Sequence, residues 1–120
     1  MKMVGYVYLV LNADRNAAKV GFTTNPYARL AQMQSANDRP LAMEFAIPAM
    51  KEVEAELHQR FASSRIRLAW FSDVEAVEEV FASLEQEHAD RQLAKEFYGS
   101  TVRVELDAAD VRALLGVTQA

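Results

Sequence analysis

Glu54 and His58 lie four residues apart beside Val53, Leu57 and Phe61, which recur at every fourth position. On a helix the pair would project side by side along the margin of an apolar stripe. Two chemistries are open to it. One is a surface pair that stabilises the helix by about 0.2–0.5 kcal/mol; the other is a carboxylate able to bind a hard cation, with an acid–base group next to it. Tyr6 and Tyr8 alternate along a β-branched and aromatic stretch, so they share one strand face, as ordinary strand aromatics or as polar groups presented from it. Lys19 interrupts a second apolar stretch two residues before Gly21, where a missing side chain would let a backbone or a phosphate come close. Arg29 stands next to the apolar Leu30 and is a surface cation or a phosphate-gripping fork.

The elements that must position these side chains follow from periodicity and punctuation. Val4 to Leu11 reads as a strand, Asn12 to Asn16 as a hairpin connection and Ala17 to Thr23 as the returning strand. Thr24 or Asn25 caps a helix with Pro26 in its first position, reaching about Gln34. A loop over 35–40 leads to a third strand from Leu41, ended by Pro48, and Ala49 to Ala62 is a helix. Arg65 and Arg67 sit in a loop before Trp70 and Phe71, which read as core, and Ser72 or Asp73 opens a helix that continues towards Phe97. Gly99 breaks it, Val102 to Leu106 reads as a strand, and Asp107 caps a last short helix ending at Gly116. His88 and the acids around it read as a solvated face. The expected fold is α+β: a small antiparallel three-stranded sheet flanked by helices, with a helical C-terminal extension. Residues 1–82 would form the main domain, and 83–120 an acidic extension of helix, short strand and helix packed on it.

Composition narrows the class. The chain has 120 residues, 51% of them hydrophobic, with 4 Gly and 3 Pro, which suits one globular domain with a real core. Lys2 precedes an apolar run, but that run is rich in Tyr and β-branched residues and no small-x-small cleavage site follows. No run approaches the ~20 apolar residues needed to span a bilayer. The expectation is a cytoplasmic protein without membrane contact. With no Cys, disulfides and thiolate metal sites are excluded. The net charge of −4 is divided: residues 1–70 hold nine basic and six acidic residues, +3, whereas 71–120 hold four and eleven, −7. A basic front half can face phosphates only if the acidic tail points away from them.

Taken together, the strings GYVYLV, KVGFTTNPYARL and EAELHQRF, followed by Trp70-Phe71, resemble the GIY-YIG endonuclease superfamily, in particular its phage-type branch with a KIG-like second motif. The similarity runs from about residue 4 to 81. It implies that Val7-Tyr8 ends the first motif, that Lys19-Val20-Gly21 is the second, that Arg29 is the helix arginine and Glu54 the metal-binding glutamate, and that His58 is the histidine following it. The implied activity is metal-dependent hydrolysis of DNA phosphodiesters, with one Mg²⁺ or Mn²⁺ held by Glu54 and waters. Tyr8 is the implied acceptor of the attacking water's proton. A free tyrosine titrates near ~10, so that role needs positive charge beside it, which Lys19 supplies if both lie on one sheet face. Pairing in which the two residue numbers add to an odd total, such as Tyr8 opposite Gly21, puts them there. His58 is open as acid, base or phosphate donor. Tyr6, Gly21, Thr23 and Arg65 complete the set as candidate substrate contacts.

One position departs from the branch pattern: Ala69 stands where a glutamate usually precedes the Trp-Phe pair. The first expectation is thus a DNA endonuclease of phage or mobile-element origin, with a homodimer or a targeting protein as partner. The alternative is an inactive module of the same fold that binds DNA or a protein.

Overall fold

The computed structural model describes residues 3–116; Lys2, counted above in the basic half, lies outside them. The architecture is α+β, as expected, but the antiparallel sheet has five strands rather than three, in the order β3-β1-β2-β5-β4. β1 (Val4–Leu11) and β2 (Ala18–Thr23) form the hairpin, α1 spans Pro26–Ser35, β3 spans Ala42–Met50 and α2 spans Glu52–Arg60. β4 (Arg65–Arg67) and β5 (Trp70–Phe71) fall in the stretch expected to be a loop, and α3 (Val74–Tyr98) and α4 (Ala108–Leu115) complete the chain. Among the described residues no helix is long and apolar enough to cross a membrane.

Alternation along β1 divides the molecule. Val7, Leu9 and Leu11, with Ala18 and Val20, pack against Val53, Leu57 and Phe61 of α2, Val77, Phe81 and Leu84 of α3, and Val111 of α4. Tyr8 and Val10 face the other way and pack with Met33, Leu30, Leu41 and Met43, so α1 covers the opposite face. The acidic helices α3 and α4 therefore share the α2 side of the sheet and leave the α1 side to the basic front half.

Two boundaries shift for physical reasons. Pro48 does not end β3, because its backbone faces away from β1: its carbonyl accepts from the Leu106 amide at 3.2 Å. A proline there leaves the pairing with β1 intact, so the strand runs on to Met50 and α2 starts later than expected. The expected strand over Val102–Leu106 shrinks to a single parallel bridge between Leu106 and Ala49, with the Met50 amide donating to the Leu106 carbonyl at 2.7 Å. His88, read as solvated, is half-buried and donates Nδ1–H to the Val104 carbonyl at 2.9 Å. Arg91 joins Glu87 of its own helix to Asp110 of α4.

This segment belongs to the core. Leu106 and Val111 are at most 1% exposed. Removing a fully buried leucine side chain typically costs about 2–5 kcal/mol. Leu106→Ala is expected to lower the urea midpoint accordingly, with the slope unchanged. A midpoint equal to that of the parent would show that the segment is only draped on the sheet.

Candidate active site

β1 and β2 pair with Tyr6 opposite Thr23, Tyr8 opposite Gly21 and Val10 opposite Lys19. These totals are odd, so Tyr6, Tyr8, Lys19, Gly21 and Thr23 share the face that α1 covers. Gly21 makes the arrangement possible. A Cβ there would stand 2.3 Å from the Tyr8 hydroxyl oxygen and 2.4 Å from its Cζ, so the tyrosine ring lies directly across the glycine. Tyr8 is 2% exposed, which holds the ring in place.

The chain after β2 aims Arg29 at that oxygen. The Thr23 hydroxyl accepts from the Asn25 amide at 3.1 Å, and Asn25 Oδ1 in turn accepts from the Ala28 amide at 3.1 Å, capping α1 with Pro26 in its first turn. Thr23 thus builds the helix start. One turn on, Arg29 Nε donates to the Tyr8 hydroxyl at 3.3 Å and its Nη1 donates to Gln32 Oε1 at 2.6 Å. Nη2 is left unused among the described residues.

Arg29, Lys19, Arg67, Trp70, Gln32 and Asn37 line a cleft of about 480 Å³. Burial, and then the nearby Arg29 guanidinium, hold the Lys19 ammonium below its ordinary range. An anion entering between the two cations would relieve their repulsion. No acidic side chain lines this cleft. Elsewhere in the basic front half Arg15 pairs with Glu44 and Glu78, Arg39 with Asp14, and Lys51 with Glu54, while Arg60 donates to the Leu115 and Gly116 carbonyls. Lys19, Arg29, Arg60, Arg65 and Arg67 make no ion pair among the described residues, and three of these five meet in the cleft.

Sequence reasoning missed Arg67 and misplaced Trp70. Phe71 is core, at 0% exposure, but Trp70 is half-buried and walls the cleft with Lys19 Nζ 5.9 Å from its ring centroid. Strand alternation at 70 and 71 separates them. Arg65, named as a substrate contact, lies over the Phe71 ring at 5.4 Å, while Arg67, opposite Trp70, takes the cleft side. Tyr6 lines a different cleft of about 430 Å³, with Tyr27 and Leu30 of α1 and Met43 of β3.

α2 brings its two candidates in from the other layer. His58 Nε2 lies 2.7 Å from the Val20 carbonyl; since a carbonyl only accepts, Nε2 carries the proton and Nδ1 is the nitrogen free to work. Its ring packs against Phe71 at 5.4 Å. Glu54 is half-buried and pairs with Lys51 at 3.6 Å; none of its ion pairs reaches the cluster around Tyr8. Among the described residues there is no group of three or more His, Asp or Glu side chains placed to hold a metal. A single hard carboxylate fits only a cation that keeps most of its water, which is the habit of Mg²⁺. Ala69 lies between β4 and β5, and its carbonyl accepts from the Val20 amide at 3.0 Å.

The T5orf172 domain model matches residues 5–86 of the 120. The chain belongs to the T5orf172 domain family. T5orf172 is a phage-associated domain of the endonuclease type. The T5orf172 span contains every residue placed above, from Tyr6 to Phe71, and ends within α3. No curated protein and no solved structure matches the chain.

Proposed function

We propose that this T5orf172 chain is a divalent-metal-dependent DNA endonuclease of GIY-YIG type. The observation that carries the reading is the Tyr8 hydroxyl, laid across Gly21 and bonded to Arg29 Nε, beside a cleft whose charged side chains are all cationic. Phosphodiester hydrolysis needs a phosphate held in place, its growing charge neutralised and a proton removed from water. Arg29 grips the phosphate through Nη2 while Nε holds the tyrosine, and Lys19 supplies a second charge on the same face. Tyr8, acting as the phenolate with the Arg29 guanidinium donating to its oxygen, takes the water's proton and becomes the neutral phenol as the attacking hydroxide forms. His58, through Nδ1, is the second proton-handling group, held by its bond to Val20.

Glu54 is the residue that would hold the metal. A Mg²⁺ or Mn²⁺ bound there supplies further charge neutralisation and a more acidic water. A nuclease domain of this size also suits a targeting protein or a second copy as partner.

The test is plasmid nicking in Mg²⁺ or Mn²⁺ against a chelator control. Metal-dependent nicks are expected, and Glu54→Gln should shift the metal dependence to higher concentration. An unchanged metal dependence would remove Glu54 as the ligand and leave the nuclease standing. Absence of nicking in every metal would favour the second reading, a DNA-binding module without hydrolysis. Ala69 and the lone carboxylate at 54 support that reading; DNA binding retained without cleavage would establish it.

A further inference from the structure

Trp70 is the single tryptophan of the chain, and its surroundings are those of a binding site. Beside the cationic cleft lies a second cleft of about 210 Å³, lined by Ile66, Ala17 and Asn12. Trp70, Arg67, Asn37 and Leu41 line both, so the two are continuous around the indole. Neither holds an acidic side chain, in a chain of net charge −4. Together they offer an aromatic ring with apolar flanks, amide side chains, and three unpaired cations within one opening. An apolar ligand would make no use of the cations, and a bare phosphate would make no use of the ring; a nucleotide uses both.

We propose that these joined clefts take an unpaired nucleotide of single-stranded DNA, its base stacked on Trp70 and its phosphate among Lys19, Arg29 and Arg67. Stacking on a side chain requires a free base face, and in an intact duplex both faces are covered by neighbouring pairs. The favoured substrate is therefore single-stranded DNA, or a duplex interrupted by a single-stranded segment. Asn37, whose Nδ2 donates to the Met33 carbonyl, keeps its Oδ1 for the base edge, while Asn12 is held within its own turn by Asn16 and Ala17. Arg67 is the outermost cation and a positioning residue: it fixes the strand in register with Arg29. The inference rests on the phosphate-binding reading of the Arg29 cleft.

The indole itself reports the outcome. The full chain is titrated with a short oligo(dT) and with a blunt duplex of equal length, following Trp70 fluorescence and, separately, anisotropy of a labelled strand. The expected result is quenching by the single strand and tighter binding of it than of the duplex. Trp70→Ala should weaken single-strand binding about 5- to 150-fold, the usual effect of losing one base–aromatic stack, and Trp70→Phe should restore part of it. Because Trp70 also supports the β4–β5 pair, the exposed Arg67→Ala is the second variant. It should lower the slope of log affinity against log salt by about one and leave the thermal midpoint unchanged. Equal affinity for the two DNAs without quenching would overturn the inference, while duplex nicking that depends on Arg29 would keep the nuclease reading. Binding of neither DNA, with no cleavage, would overturn both.

Discussion

Arg29→Ala is expected to reduce the single-turnover cleavage rate by about 10²–10³-fold, the usual effect of removing one preorganised donor from a site of developing charge. The geometry gives this residue two tasks at once. Nε holds the Tyr8 hydroxyl at 3.3 Å, Nη1 is steadied by Gln32, and Nη2 is the edge on which the proposed reaction places the phosphate. Arg29→Lys should recover little, because an ammonium is a point charge and cannot hold the tyrosine and a phosphate oxygen in a fixed fork. Both variants should keep the parent's circular dichroism spectrum, since the side chain is half-buried on a helix capped independently by Asn25. A rate within a few-fold of the parent would remove Arg29 from the reaction.

The second large effect is expected at Gly21. Its substitution by alanine places a methyl carbon at 2.3 Å from the Tyr8 oxygen, and a ring at 2% exposure has nowhere to retreat. Overpacking of this kind costs about 1–3 kcal/mol and displaces what it strikes. Gly21→Ala should therefore lower the denaturant midpoint and, measured where the protein is still fully folded, lose the Tyr8–Arg29 contact together with cleavage. A variant equal to the parent in both measurements would show that Tyr8 does not lie across residue 21.

The two residues differ in how openly the sequence declares them. The Tyr8–Gly21 register was legible as a parity condition on the hairpin, and the Asn25–Pro26 cap placed α1 correctly, because both depend on local chemistry. β1 emerged with its observed limits, since eight apolar, mostly β-branched or aromatic residues are bounded by Asn12. β4 and β5 were not legible. Their connection is Leu68–Ala69, with Leu68 at φ 47°, and neither residue is one that hairpin turns ordinarily select. With that hairpin unseen, Arg67 had no strand to stand on and Trp70 could not be separated from Phe71. Pro48 misled in the opposite direction: a proline ends a central strand, but this one sits where only its carbonyl is used. The association of Leu106 with Ala49 joins residues far apart in sequence, and no local pattern announces it.

That association has a consequence for behaviour in concentrated solution. β3 is the outermost strand on its side of the sheet, nine residues long, and Leu106 occupies the Pro48 carbonyl and the Met50 amide. If the 100–107 segment lifts away, those groups become a template on which a strand from another molecule can pair. The opposite margin is guarded differently: β4 has three residues, two of them arginines. Self-association following partial denaturation should therefore begin at β3, rise with protein concentration, and be promoted by any change that loosens Leu106 before it unfolds the sheet.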